Sequence, residues 1–252
     1  MTDPDTVAAA IADADEVVAL TGAGLSTASG IPDFRSEGGL WDEFDEQAFT
    51  LRRYRAQPDR FWADWLSLHD HFFDGEVAPN PAHDALARLE ETGHLDALLT
   101  QNVDGLHGEA GSETVVHLHG TGTSATCPDC GASIAVEAAR ERVDAGAGAP
   151  ACDCGGVYKP DTVLFGEQLP RTALQAARRR AETADVFLAA GSSLTVDPAA
   201  LLPDSALRNG ATLVVVNLDR TKYADRADHV AREPVEEFLP AVADRLLDGE
   251  HD

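Results

Sequence analysis

The sequence predicts an α/β fold built on a doubly wound parallel sheet. Three observations carry that prediction. Five short apolar runs, VVAL (17–20), LDALLT (95–100), TVVHL (114–118), VFLAA (186–190) and TLVVV (212–216), each lead into a polar or glycine-containing turn. Continuous apolar runs of this length fit strands buried on both faces, as in a parallel sheet. Helix-patterned stretches at 81–92, 170–184 and 198–208 lie between these runs, and strand alternating with helix is the signature of the doubly wound class. Two stretches break the rhythm. Residues 36–79 concentrate aromatic side chains and predict a small helical layer, and residues 121–157 hold all four cysteines with a loose AGAGAP spacer and predict a small insertion.

The first run passes into TGAGLSTASGIPDFR (21–35). Glycines directly after a strand let backbone approach a pyrophosphate, as in a Rossmann-like dinucleotide fold. The third glycine of the usual G-x-G-x-x-G pattern would fall at position 27, where Thr27 stands. A glycine turn without ligand is common, and no second strand follows soon after residue 30, which argues against an ordinary dehydrogenase. Gly191-Ser192-Ser193 and Asn217-Leu218-Asp219 give two more strand-end turns, and three such turns together suggest a dinucleotide. In doubly wound sheets ligands sit beyond the carboxyl ends of the strands.

The second run passes into QNVDGLH (101–107). Asn102 or Asp104 could merely cap the next helix. Their place at a strand end, beside Gln101 and the glycine turns, makes sugar hydroxyls better candidate partners. The third run ends in HLHG (117–120). Alternation puts His117 and His119 on one face, and one of them could be only a buried, hydrogen-bonded histidine. His119, before a glycine expected to admit a ligand, is the candidate general base, since imidazole titrates near neutrality.

Cys127, Cys130, Cys152 and Cys154 fall within one short glycine-rich segment. In an intracellular chain this grouping suggests a structural zinc ion held by four thiolates, against the alternative of four free buried cysteines. The second hook, Cys152-Asp153-Cys154, is one residue shorter than the usual C-x-x-C.

Composition bounds the rest. The chain has 252 residues, 44% of them hydrophobic, enough for one packed domain with a small insertion. Its start is acidic and its apolar runs are too short to span a bilayer, so a soluble, cytoplasmic protein without membrane attachment is expected. Nineteen basic residues against 44 acidic leave a net charge of −25, and only Lys159 and Lys222 are lysines. Charge dispersed along the whole chain fits a surface adapted to a cytoplasm of very high salt, as in a halophilic microbe, better than a site for one basic partner. It also excludes direct nucleic-acid binding as an expectation.

Taken in order, TGAGLSTASGIPDFR, GLW (39–41), TQNVDGLH, LHG, the paired cysteines, KPDTVLFGE (159–167), GSSLTVDP (191–198) and VN (216–217) resemble the sirtuin family over about residues 8–240. The resemblance implies an NAD-dependent protein lysine deacylase with zinc as a structural metal. It implies a Rossmann-like NAD-binding domain of residues 1–120 and 158–252, carrying the helical layer, with residues 121–157 as the zinc-binding insertion. Gly22, Ala23 and Gly24 would present backbone to the NAD phosphates, with Arg35 and Ser192 adding contacts. Ile31 and Asp33 would hold the nicotinamide amide, and Phe34 would cover the reacting sugar carbon. Gln101, Asn102 and Asp104 would orient the ribose, and Asn217 would read the adenosine half. Ser26, Trp41, Gly191, Ser193 and Asp219 complete the candidate cofactor contacts. The backbone of Val163, Leu164, Phe165 and Gly166, with that of Leu194 to Val196, would clamp an extended acyl-lysine peptide by strand addition. The implied chemistry has the acyl oxygen attack the ribose carbon that bears nicotinamide, with His119 deprotonating ribose hydroxyls. The products are nicotinamide, free lysine and O-acyl-ADP-ribose. ADP-ribosyl transfer to protein is the competing enzymatic reading, and a non-catalytic NAD-sensing module is the competing reading from another class.

Sirtuins that prefer malonyl or succinyl lysine resemble one another in a Tyr-x-x-Arg pair in the helical layer. Here the only tyrosine between Trp41 and Pro79 is Tyr54, followed three residues later by Gln57. The matching segment, FWADWLSLH (61–69), puts Trp65 and Leu68 at the two positions. An apolar acyl pocket and a preference for neutral acyl groups, chiefly acetyl, are therefore expected.

Overall fold

The structure is a computed structural model that describes residues 2–33, 39–73 and 76–249. The main sheet holds β1 (Val17–Thr21), β2 (Ala97–Thr100) and β3 (Val115–His117). Three short strands, β4 (Ser124–Thr126), β5 (Ser133–Ala135) and β6 (Lys159–Pro160), form a second, antiparallel sheet. The main sheet is completed by β7 (Val186–Ala190), β8 (Thr212–Val216) and β9 (His229–Ala231), in the spatial order β3-β2-β1-β7-β8-β9 with every pairing parallel. All five apolar runs of the sequence contribute a strand. The sixth strand, β9, is three residues long and reads HVA, too short and too polar to signal itself.

The helices follow the sequence pattern. Those before the cysteine segment are α1 (Pro4–Ala12), α2 (Leu40–Glu43), α3 (Leu51–Ala56), α4 (Pro58–Phe72), α5 (Pro81–Glu91) and α6 (Leu106–Glu109). After them come α7 (Val136–Arg142), α8 (Arg171–Thr183), α9 (Leu202–Arg208) and α10 (Val235–Gly249). Local chemistry fixes several starts. Asp3 accepts from the Thr6 amide ahead of α1, and Asn80 with His83 forms a capping box ahead of α5, each with proline in the first turn.

Both faces of the main sheet are covered, which is why its strands are apolar without alternation. Val17 and Ala19 pack with α1, α5 and α10, while Val18 and Leu20 pack with α8 and α9. A third cluster joins regions far apart in sequence. Phe49, Tyr54, Phe61, Trp62, Trp65 and Leu68 of the helical layer share one core with Ala125, Cys127, Val136, Cys152, Tyr158 and Leu164. Hydrogen bonds sew the same seam: Tyr54 Oη donates to the Val157 carbonyl and Trp62 Nε1 to that of Tyr158. Among the described residues no helix is long and apolar enough to cross a membrane.

Candidate active site

The strand order reverses between β1 and β7, and at such a switch point a doubly wound sheet opens a crevice beyond its carboxyl ends. A cavity of about 1140 Å³ lies there. Gly22 to Gly24 follow β1 into it, Gln101, Asn102 and Asp104 follow β2, and His119 follows β3. Gly191 to Ser193 follow β7, and Asn217 and Asp219 follow β8. The chain thus brings every strand-end motif of the sequence to one site.

The glycines serve a purpose the sequence alone does not reveal. A Cβ on Gly22 or Gly24 would come within 2.9 Å of the Gly191 carbonyl oxygen, and one on Gly191 (φ 60) within 2.3 Å of the Leu25 nitrogen. The turns after β1 and β7 are packed backbone on backbone, and the Gly24 amide donates to the Gly191 oxygen at 2.8 Å. Among the described residues up to Asp33, two short 3₁₀ turns, Ala23–Leu25 and Thr27–Ser29, follow β1. With no long helix to press against the sheet, the third glycine of the dinucleotide pattern has no packing role here, and Thr27 is tolerated.

A polar network fixes the floor. Asn102 Nδ2 donates to the Gly22 carbonyl and to Ser26 Oγ, both at 3.1 Å. Ser26 Oγ donates to Asp104 Oδ2 at 2.7 Å, and Asp104 Oδ1 accepts from the Leu106 amide. Gln101 Nε2 donates to Ser192 Oγ at 2.7 Å. Those donors face the protein, which leaves Asn102 Oδ1 and Gln101 Oε1 as acceptors with no partner among the described residues. Ser26, at 1% exposure, acts beneath the cavity surface as a tie between Asn102 and Asp104. Asn217 Nδ2 is held by the Asp219 carbonyl at 3.0 Å.

Four histidines gather around this floor. Burial lowers the pKa of His119, opposed by the pull of the Gln101 backbone, and its Nδ1 is buried without a well-formed hydrogen bond. Burial likewise lowers His117, against the nearby Asp104 charge. His107 is pushed down to about 3, first by burial and then by the charges of His83 and His117. Its Nε2 meets Thr21 Oγ1 at 2.9 Å, and Thr21 donates to Thr100. His83, stacked on His107 with ring centroids 4.9 Å apart, is also lowered by burial. β3 ends at His117, so His119 stands just past the strand, its carbonyl accepting from the Val163 amide at 2.8 Å.

The opposite wall is apolar. Trp65, Leu68, His69, Phe72 and Phe73 from the end of α4 line it with Phe49. Trp65 and Leu68 stand where the sequence places them, in the cavity wall and nearly buried. Tyr54 is committed to the Val157 carbonyl, and Arg53 pairs with Asp64 at 3.4 Å, so neither reaches the cavity.

The four cysteine sulfurs lie within 4.8 Å of one another, with Cys127 to Cys154 and Cys130 to Cys152 each 3.6 Å apart. A disulfide needs about 2 Å, whereas four sulfurs about 2.3 Å from a central zinc stand about 3.8 Å apart. The set fits one tetrahedral zinc ion. The short hook works because Gly155 takes a left-handed turn (φ 93) that carries its amide back to the Cys152 carbonyl. A Cβ on Gly156 would strike Cys127 Sγ at 2.9 Å, so the second hook also needs a bare backbone beside the first.

The sequence profile of the Sir2 family matches residues 22–198. The chain belongs to the Sir2 family. The NAD-dependent protein deacetylase of Haloarcula marismortui is 52% identical to it over 247 residues, covering 96% of this chain and 94% of that protein. NAD-dependent protein deacetylase 1 of Pyrobaculum aerophilum is 48% identical over 244 residues, with the same coverage. A solved structure of Sir2 with a p53 peptide and NAD+ is 34% identical with a TM-score of 0.87, covering 100% of both chains. Another, with deacetylated p53 peptide and 3′-O-acetyl ADP ribose, is 35% identical with a TM-score of 0.88, covering 98% of both.

Within this Sir2 fold, three sequence expectations need amendment. Gly120 (φ 74) does not hold space open for a ligand: a Cβ there would sit 1.8 Å from the Asp161 oxygen, so its glycine allows the chain to cross the Asp161 segment. The side chain of Leu194 is fully buried in the sheet core and its amide meets Ser192 Oγ at 3.3 Å, so Ser193, Thr195 and Val196, not Leu194, face the cavity. The Val163 to Gly166 segment also has fewer backbone groups to offer than a free strand. The Val163 amide is bonded to His119, the Leu164 amide to Glu167 and the Phe165 amide to Phe49, while the Leu164 and Phe165 carbonyls accept from Glu167 and Leu51, which among the described residues leaves the Val163 carbonyl and the amide and carbonyl of Gly166. Phe34, Arg35 and the Trp41 side chain lie outside the described residues, while Ile31 and Asp33 line the cavity. Sequence reasoning missed Arg171, Leu174, Arg178, Arg220 and Lys222, which also line it. Spacing on α8 was the one available signal for the first three.

Proposed function

We propose that the chain is an NAD-dependent protein-lysine deacetylase. It removes acyl groups, chiefly acetyl, from lysine side chains and releases nicotinamide and O-acyl-ADP-ribose. The observation that carries the reading is the joining, in one cavity, of strand-end turns and amide acceptors suited to a dinucleotide with an apolar wall suited to a neutral acyl chain. The volume of about 1140 Å³ exceeds the usual range for one small ligand, about 300–1,000 Å³, as a site for two co-substrates requires. Bound NAD supplies the nicotinamide leaving group and the ribose that takes the acyl group.

The residues of the chain would divide the work as follows. Gly22, Ala23, Gly24 and the Gly191 to Ser193 turn form a rigid double turn against which phosphates can rest. Gln101 Oε1 and Asn102 Oδ1 would accept from ribose hydroxyls, since their amide nitrogens are committed inward. Asp104 holds Ser26 and through it Asn102, so its part is positioning. His119 would take the hydroxyl proton. Its lowered pKa keeps the imidazole neutral, and therefore able to accept, below the ordinary histidine value of 6.5. Ile31 and Asp33 would face the nicotinamide end, with Phe34 and Arg35 next in sequence, and Asn217 and Asp219 the adenosine end. The Val163 carbonyl, the Gly166 amide and the Thr195–Val196 edge would hold the peptide around the acyl-lysine. Cys127, Cys130, Cys152 and Cys154 would hold zinc within residues 121–157, closed to substrate because all four positions are thiolate. A cytoplasmic location follows from the same reading, with reduced thiolates and a strongly acidic surface in support.

The test is mass spectrometry of an acetyl-lysine peptide incubated with the protein with and without NAD. Deacetylated peptide and O-acetyl-ADP-ribose should appear only with NAD. An intact acetyl-lysine accompanied by ADP-ribosylated protein would overturn the reading.

A further inference from the structure

We infer that one wall of the cleft selects acyl-lysines flanked by acidic side chains; the inference rests on the deacetylase reading above. Arg171, Leu174 and Arg178 stand at offsets of three and seven residues on α8, which places them on one face of that helix. All three line the cavity, together with the Thr162 to Leu169 segment that leads into α8 and the Thr195 to Pro198 edge. Leu174 and Val163 pack against the same core cluster, which fixes the direction of this face.

Within the cavity wall these two guanidinium groups stand apart because they are unneutralised. Among the described residues neither Arg171 nor Arg178 makes an ion pair or a side-chain hydrogen bond. The other cations of the cavity wall are engaged: Arg220 pairs with Asp225, and Lys222 lies 3.8 Å from Asp197. Glu167, the carboxylate nearest in sequence to Arg171, is taken by Lys159 at 3.2 Å and by the Leu164 amide, and among the described residues Glu182, four residues beyond Arg178 on α8, forms no ion pair with it. The first turn of α8 contains no acidic residue. In a chain with 44 acidic residues against 19 basic ones, intramolecular carboxylates are abundant, yet among the described residues none forms an ion pair with either arginine. A local positive edge therefore survives inside a negative field.

The geometry fixes the class of partner. Seven helical residues rise about 10 Å, close to the length of three residues of extended chain. An extended peptide held along the Val163 to Gly166 segment would meet the two arginines with side chains two to four positions apart. Arginine forks match carboxylates, and Leu174 between them offers an apolar seat for the methylene stems of glutamate. Long-range repulsion by the net charge of −25 opposes an acidic peptide, but at about 1 M salt the Debye length is about 3 Å, so contact pairs persist while that repulsion is screened.

The experiment compares kcat/KM for acetyl-lysine peptides in about 1 M KCl. Pairs of Glu, Ala or Lys are placed two to four residues apart on either side of the acetyl-lysine, and the Ala peptide serves as the reference within each protein. The unaltered protein should favour one Glu arrangement over Ala by about fivefold, chiefly through KM, as two exposed contact pairs allow. In an Arg171→Glu/Arg178→Glu double variant the ratio should invert in favour of Lys. An Arg171→Gln/Arg178→Gln variant should bring the Glu to Ala ratio to about one. Equal kcat/KM for Glu and Ala peptides in the unaltered protein would overturn the inference, and so would a Glu preference that survives in both variants. Absence of turnover on every peptide, the Ala reference included, would instead overturn the deacetylase reading.

Discussion

The two walls of the cleft are built on opposite plans. The wall at the sheet ends is polar, and nearly every donor in it is committed: Asn102 to Gly22 and Ser26, Gln101 to Ser192, Ser26 to Asp104. The facing wall is apolar and comes from the end of α4, where Trp65, Leu68, Phe72 and Phe73 present carbon. Their supports differ as well. The polar wall is an extension of a six-stranded sheet buried on both faces. The apolar wall shares a core with the cysteine segment, through Trp62, Trp65, Cys127, Cys152 and Tyr158. A site that handles a charged dinucleotide and a neutral acyl chain keeps the two environments apart and braces each by separate means.

The largest effect should come from the polar wall. His119→Ala is expected to lower the deacetylation kcat by about 100-fold or more while leaving NAD affinity within about tenfold, because a general base acts mainly on the transition state. Steady-state rates and isothermal titration with NAD check both halves. Activity surviving at about a tenth of the parent rate would remove His119 from the role.

The apolar wall should show itself in acyl selectivity. A succinyl carboxylate entering the space beside Trp65 and Leu68 loses hydration without a cation to meet it, at a cost on the order of several kcal/mol. Acetyl peptide should therefore exceed the succinyl version of the same peptide in kcat/KM by at least about tenfold. A succinyl peptide that matches acetyl would show that a cation reaches this wall, with Arg171 and Arg178, the unpaired cations of the same cavity, the first to substitute.

Zinc separates the walls directly. If the cysteine segment braces only the apolar side, removal of zinc by a chelator should raise the KM for acetyl peptide several-fold while NAD binding stays close to its starting value. Elemental analysis should find about one zinc per chain before treatment. Equal loss of both affinities would mean that the two walls are not independently supported, and full activity in metal-free protein would remove the bracing role altogether.

The same contrast explains what could be read from the sequence. The polar wall was legible because each of its pieces follows an apolar run: a strand end can be recognised locally, and the doubly wound topology collects strand ends in one crevice. Trp65 and Leu68 were legible through helical spacing and a family pattern. The shared core of Trp62 with Tyr158 was not, since a contact between residues nearly a hundred positions apart leaves no periodicity in either segment. The packing of Gly22 and Gly24 on Gly191 was hidden for the same reason, although each turn was visible alone. Nothing in the sequence separates Arg171 and Arg178 from the other charges of α8; only the tertiary placement of α8 beside the Val163 segment turns them toward the cleft.

The smallest expected effect concerns acid stability, and it too falls on the polar wall. His83, His107, His117 and His119 cluster there, and burial lowers the pKa of each. A histidine whose folded pKa is depressed contributes stability above its unfolded value of 6.5 and loses it as the pH falls from there toward the folded value, which for His107 is about 3. At about pH 5.5 the unfolded chain gains protons that folded His107 refuses, a loss of about 1.4 kcal/mol from this one residue. For a chain of this size that lowers Tm by about 3–6 °C relative to about pH 7.5. The other three add in the same direction. On the apolar wall only His69 behaves alike, lowered by burial and by the Arg140 charge. His107→Gln keeps a polar group opposite Thr21 without a titrating ring, so its Tm should depend less steeply on pH, even if its Tm at about pH 7.5 is lower. Scanning calorimetry of both proteins across this range gives the comparison. An unaltered Tm between the two pH values would show that these rings take up protons as readily in the folded chain as in the unfolded one, and would remove the buried, neutral histidines from the account of this wall.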